Sequence, residues 1–241
     1  MRITGFLAFS VFLALNTQAE ELAEIIVSAS FIESEVPGRH LQRTADNLLL
    51  RVQIVNDSRE EKVREDEIHQ TLLAAIAAAE KNDRIELSTV THSGFVLPLT
   101  RANYRIDLEN GNRPDSSQAW FRAKSAVPGA TDNGEALVLE LKRFISGLKM
   151  VGRTQVFVDG DVEVSIINPN QYRAEAIGLM ADDVKAVTSA LGSAEYRVIV
   201  KGIDKPIEWA RAGSLSVAIY IPYEYIVVPT TISSYTVLPE Y

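Results

Sequence analysis

The sequence predicts an α+β fold, a mainly antiparallel sheet with helices packed on one face, and three observations carry that prediction. Several segments alternate apolar and polar residues between Gly, Pro, Asn and Asp, as paired strands do. Three longer segments carry apolar residues at helical spacing. Only one strand–helix–strand cycle is clearly repeated, which favours helices gathered on a sheet over a run of alternating units.

The chain opens MRITGFLAFSVFLALNTQAEE, where Arg2 precedes an apolar run from Ile3 to Leu15 and a small-residue exit at Thr17-Gln18-Ala19. That is the pattern of a secretory signal peptide over residues 1–19, with the mature chain starting near Glu20. The run is shorter than the about 20 residues that cross a bilayer as a helix, so no membrane span is expected once it is removed. The expected location is the periplasm.

With no cysteine anywhere, a packed core must hold the fold without disulfides. A composition 46% hydrophobic and 23% charged is that of a globular chain and is too apolar for a disordered one. The net charge of −8, with no Lys/Arg-rich run, argues against nucleic acid and against an anionic membrane surface as partners.

EIIVSASFIESEVP, from Glu24 to Pro37, reads as a first strand. After a polar bridge, DNLLLRVQIVND places Leu48, Leu50, Val52 and Ile54 on one side of a strand, with Leu49 and Val55 weighting the other, so both faces are expected to be covered. Ser58 and Glu61 have capping-box spacing for a helix reaching about Lys81, its buried stripe formed by Ile68, Leu72, Ile76 and Ala79. IELSTVTHSGFVLPLT reads as a strand interrupted near Ser93-Gly94, and ENGNRPDSS as a loop. AWFRAKSAV resumes extended structure. Asp132 and Glu135 form a second candidate capping box, before a helix that aligns Leu137, Leu141, Phe144, Ile145 and Leu148.

RTQVFVDGDVEVSI leaves two possibilities open. A hairpin with a three-residue Asp159-Gly160-Asp161 loop sets Val158 opposite Val162 and Val156 opposite Val164; the alternative is one long strand with a glycine bulge. A third helix begins near Pro169 and ends at Gly192, with the stripe Ile177, Ala181, Val184, Thr188, Leu191. EYRVIVKGI and SLSVAIYIPYEYIVV are the last strands, joined by a polar connection. In the second, Val217, Ile219, Ile221, Tyr223, Tyr225 and Val227 share a face. The expected domain spans 20–229, with 230–241 as a loosely held tail.

In the order of EIIVSASFIESEVP, DNLLLRVQIV, TLLAAIAAAEKN, AWFRAKSAV, ALVLELKRFISGLK, YRAEAIGLMADDVKAVTSALG and GSLSVAIYIPYEY, the chain resembles the SIMPL-domain family of secreted and periplasmic bacterial proteins, over Glu24 to Pro229. It departs from the family at Pro37-Gly38 and Trp120-Phe121, where Pro-Asp and Gly-Tyr are usual. The resemblance implies two βαβ-type halves, no cofactor, no catalytic residues, assembly into oligomers and an envelope role in oxidative-stress defence.

Candidate sites are few. The EIIVSAS stretch is similar to a TonB box, in which an extended segment adds as a strand to an envelope partner; this marks Ile25, Val27 and Phe31 as interface candidates. Tyr220 points away from the core-facing tyrosines Tyr223 and Tyr225 and is a further interface candidate, with Trp120 and Trp209 as other aromatics. Glu65, Asp66 and His69 could approach a metal from one helix face, but a solvated charged face explains them equally well. Asp159, Asp161 and Glu163 alternate like calcium ligands without a calcium-loop frame, which favours turn chemistry. His92-Ser93-Gly94 is not a nucleophile elbow. The expectation is a non-enzymatic protein with no metal and no cofactor, acting as a homo-oligomer or on an envelope protein.

Overall fold

The computed structural model describes residues 23–27, 38–90, 96–129, 134–192 and 195–232. In chain order they form β1 (Glu24–Val27), β2 (Leu41–Thr44), β3 (Asn47–Asn56), α1 (Glu61–Ala79), β4 (Ile85–Val90), β5 (Val96–Pro98), β6 (Glu109–Asn110) and β7 (Ser117–Ala126). Then come α2 (Gly134–Ser146), β8 (Gln155–Ile167), α3 (Arg173–Leu191), β9 (Tyr196–Lys201), β10 (Glu208–Arg211), β11 (Ser216–Tyr220) and β12 (Glu224–Pro229). The class is α+β. Every strand pairing described is antiparallel.

Strand alternation builds the main sheet, ordered β1-β8-β3-β7-β4-β5, with β6 beside β7. In β7 the small or apolar Ala119, Phe121 and Ala123 are buried, while Trp120, Arg122 and Lys124 take the other face. The buried set joins Leu48, Leu50, Val52 and Ile54 of β3 beneath α1 and α2, which contribute Ile68, Leu72, Ile76, Leu137, Leu141 and Ile145. The outermost strands β1 and β5 come into contact, so the sheet curls away from its helices. Leu49 shows the result: it lies on the face opposite the helices yet is 0% exposed. A second cluster, with Val164, Ile166, Ala176, Met180, Val217 and Ile219, packs α3 and the three-stranded sheet β10-β11-β2 onto the β1–β8 end. No helix among the described residues is long and apolar enough to cross a membrane.

Several expectations are corrected. Ser58 does not cap α1: its hydroxyl donates to Glu67, its N–H to Asn56, and the helix begins after Glu60 with no side-chain cap. Asp132 lies outside the described residues, as do His92, Ser93 and Gly94. The segment about them joins β4 and β5, which pair antiparallel, so the interrupted strand is a hairpin. ENGNRPDSS does turn between strands as expected: Glu109 and Asn110 form β6, and the reversal into β7 is closed by Gly111 N–H to the Ser116 carbonyl at 2.9 Å.

Residues 155–167 form one strand. Val162 pairs with Leu50 and Val158 with Val52, so Asp159-Gly160-Asp161 bulge opposite Arg51, with Gly160 at φ 78°. The two extra residues preserve the side-chain alternation, which is why both possibilities were compatible with the pattern. In α3 the buried residues are Ala176 and Met180, offset from the expected stripe, and Leu191 is exposed. The final strand is broken at Ile221-Pro222-Tyr223 into β11 and β12, which belong to different sheets. The two polar connections each contain a strand, β2 and β10, flanking β11. In the expected tail, Thr230 N–H donates to Glu195 and Arg197 donates to the Ile232 carbonyl, while residues 233–241 lie outside the described set.

Candidate functional site

The concave face of the main sheet carries rows of side chains set by strand register. One row is Trp120–Gln53–Phe157, across β7, β3 and β8. It is flanked by Gln118–Val55–Gln155 on one side and by Arg122–Arg51 with the β8 bulge on the other. Like charges directly opposite, as in Arg51 and Arg122, are unfavourable, and the fold compensates each with its own acid. Arg122 makes a two-pronged contact with Glu163, Nε at 2.6 Å and Nη2 at 3.3 Å. Arg51 lies 3.3 Å from Asp159 and over the Trp120 ring at 5.1 Å, while the Trp120 indole N–H donates to the same Asp159 carboxylate at 2.9 Å. The bulge is what brings Asp159 within reach of both.

Farther along the face the groove closes. Lys124 sits 2.9 Å from Glu24 and 3.2 Å from Glu86. Burial works to lower the Lys124 pKa, but the hydrogen bond and charge of Glu24, with Glu86, outweigh it and leave the ammonium above its ordinary value. Glu24 also accepts from Asn47 at 2.9 Å and Ser165 at 2.6 Å. The first residue of β1 is therefore tied by its side chain to three other strands.

At the opposite end the face opens into two clefts. One, of about 560 Å³, is lined by Arg51, Arg105, Asn103, Trp120 and Arg122 among others. The other, of about 300 Å³, is lined by Gln53, Gln118, Gln155, Phe157, Arg113 and Arg153 with their neighbours. Both are in or near the size range of small-molecule sites. Gln53 donates to Gln118 at 2.9 Å and Gln118 to the Asn110 carbonyl at 3.0 Å. At the rim Asp57 binds Arg153 at 2.7 Å and Arg113 at 3.0 Å, and the Arg153 hydrogen bonds hold its carboxyl below the usual value. Behind it, Glu67 accepts from Asn56, the Arg153 backbone N–H and Ser58, which depress its pKa in that order. Gly152, at φ 57°, lies so close that an added Cβ would collide with that carboxylate.

The interface candidates fall elsewhere. Ile25 and Val27 pair with β8 and pack into the second hydrophobic cluster, and Phe31 lies outside the described residues. Tyr220 lies on the face of β11 opposite Val217 and Ile219, as the alternation expects, but that face is covered too and the residue is 8% exposed, so its expected exposure is corrected. Tyr225, expected in the core, is 43% exposed after the break at Pro222. His69 is buried against the edge of the Tyr104 ring, its Nδ1 3.9 Å from Glu65. Asp159 and Glu163 are held by Arg51, Trp120 and Arg122. Among the described residues no three potential metal ligands gather.

Trp120, Asp159 and Glu163 stand out in the sequence one by one, but nothing in it groups them with Arg51, Gln53, Arg122 and Phe157 on one concave face. For β7 the signal was present in AWFRAKS, where Trp, Arg and Lys alternate with Ala, Phe and Ala. Fold and site together define an α+β protein with a curled antiparallel sheet and a polar, aromatic trough on its concave side. No family model, curated protein or solved structure matches the chain.

Proposed function

We propose that this chain is a non-enzymatic, exported binding protein of the SIMPL type, working in the periplasm through contact with envelope components, and that the concave trough is its contact face. The observation that carries this reading is the composition of the trough. Its charged groups are engaged with one another across strands, while aromatic and amide groups line the two adjoining clefts. Such a surface is built for recognition by shape and hydrogen bonding. The leader-like residues 1–19 support export, and the order of segments in the sequence motivates the family reading, with which an α+β fold of antiparallel strands is compatible. Self-association and a role in oxidative-stress defence belong to the same proposal.

The competing role, a TonB-linked accessory that surrenders residues 24–37 as a strand, requires β1 to leave β8 and Glu24 to leave Lys124, Asn47 and Ser165. The pairing therefore favours the first reading. A photo-reactive residue at Phe157, compared with one at Leu139 on the exposed side of α2, tests it in cells. Expected is an envelope adduct from position 157 alone. Equal labelling from both positions, or none, rejects the contact face. Light scattering on the mature chain checks self-association, and a monomer at every concentration counts against that part.

A further inference from the structure

We propose that the trough binds a glycan strand, an extended, uncharged, polyhydroxylated chain. This rests on the concave face being the contact face and names what it holds. A sugar ring presents apolar C–H faces and a rim of hydroxyls that both donate and accept. A matching site offers flat apolar plates with planar polar groups between them. The row Trp120–Gln53–Phe157 has that order: an indole and a phenyl ring two strands apart, about 9.5 Å at the usual spacing, with an amide between them. Phe157 is 47% exposed on a strand face it shares with Gln53, Gln155 and Val55, outside both apolar clusters, a placement that core packing does not explain. Gln53 and Gln118 are linked to each other and keep further donors and acceptors for a ligand.

Charge narrows the ligand. Of the five arginines that line the clefts, Arg51, Arg122, Arg113 and Arg153 each face a carboxylate, Asp159, Glu163, Asp57 or Asp115, while Arg105 donates to Tyr104 and lies over its ring, so most of the arginine charge in the trough is offset. A phosphate-rich polymer needs unneutralised cations, and the chain as a whole carries −8. Hydroxyls, by contrast, can share the guanidinium forks without displacing the acids.

The test uses the mature chain carrying Trp209→Phe. Trp120 is then the sole indole, since the chain has two tryptophans. Soluble chitohexaose and cellohexaose are titrated against Trp120 fluorescence, and co-sedimentation with purified cell-wall sacculi, chitin and cellulose is measured in parallel. Expected are saturable binding to at least one glycan, weakened tenfold or more by Phe157→Ala and about fivefold by Gln53→Ala, with Leu139→Ala unchanged. Binding to the hexasaccharides, or to chitin or cellulose, supports the inference, and added binding to sacculi marks the wall glycan as a source; binding to sacculi alone, whose peptides are charged, overturns it. No binding to any glycan, binding indifferent to Phe157→Ala and Gln53→Ala, or salt-sensitive binding to polyphosphate instead overturns it. If the envelope adduct at position 157 forms without glycan binding, the ligand class fails and the contact face stands. If neither appears, both fail.

Discussion

The two faces of the main sheet are made by the same strands, one residue after the next, and they follow different rules. On the helix side, Phe121, Leu48, Leu50, Val52 and Ile54 are at most 1% exposed and belong to one apolar cluster with α1 and α2. Burial there drives folding without direction. On the concave side, the alternate residues Trp120, Arg122, Lys124, Arg51 and Gln53 meet specific partners at hydrogen-bond distance. Polar groups enclosed in this way stabilise little unless every one finds its partner, and their arrangement sets the shape of the surface. One strand can thus secure the fold with one face and a recognition surface with the other.

The sharpest way to break this comparison is from the helix side. Phe121→Ala should cost about 3–5 kcal/mol, a large part of the stability of any ordinary domain, read as a lowered urea midpoint with an unchanged slope. On the concave side, Arg122→Met strands Glu163. Both side chains retain some exposure, 15% and 11%, so the loss should be about 2–3 kcal/mol, less than a fully dry pair would show. Adding Glu163→Met should recover most of it. If the double variant is as unstable as Arg122→Met, the pair contributes more than mutual neutralisation.

Glu67→Gln tests the rim, with an expected loss of about 1–2 kcal/mol at neutral pH. The Glu67 carboxyl has a folded pKa below its ordinary 4.5, through Asn56 first, then the Arg153 N–H and Ser58. Its contribution is therefore complete above the unfolded value and disappears as pH falls through the folded one. The variant should show a flatter loss of stability in acid, measured by thermal melts from neutral pH downward. An unchanged acid limb would assign that limb to other carboxylates. The smallest effect sharpens the contrast most: Phe157→Ser should leave stability within about 0.5 kcal/mol, because its ring is half in solvent. A larger loss would mean that Phe157 belongs to the core after all.

Much of this architecture was legible in the residues. The helices at Ile68, Leu72 and Ile76 and at Leu137, Leu141 and Ile145 follow from spacing alone; on the second face of β3 the expected covering holds at Leu49 and fails beyond it, because Arg51, Gln53 and Val55 line the clefts. The errors have local physical causes. Ser58 was free to cap, but Glu67, which no short-range pattern links to it, offers its hydroxyl an acceptor at 2.8 Å. β2 reads LQRT and β10 reads EWAR, too short and polar to announce themselves, and each is a strand because β11 lies beside it. Tyr220 and Tyr225 exchange their expected environments because Pro222 separates their strands into different sheets.

The alternation of β7, the helical stripes, the lack of cysteine and the acid excess are properties of the chain itself, since each depends on neighbours a few residues apart or on counting. Tertiary structure alone decided that Asp159 reaches Trp120 and Arg51, that Glu24 meets Lys124 three strands away in the sheet order, and that Phe157 faces a trough. Those relations depend on a two-residue bulge and on the curl of the sheet. The bulge preserves the alternation, and the curl joins residues up to 100 positions apart, so neither leaves a mark in the local pattern.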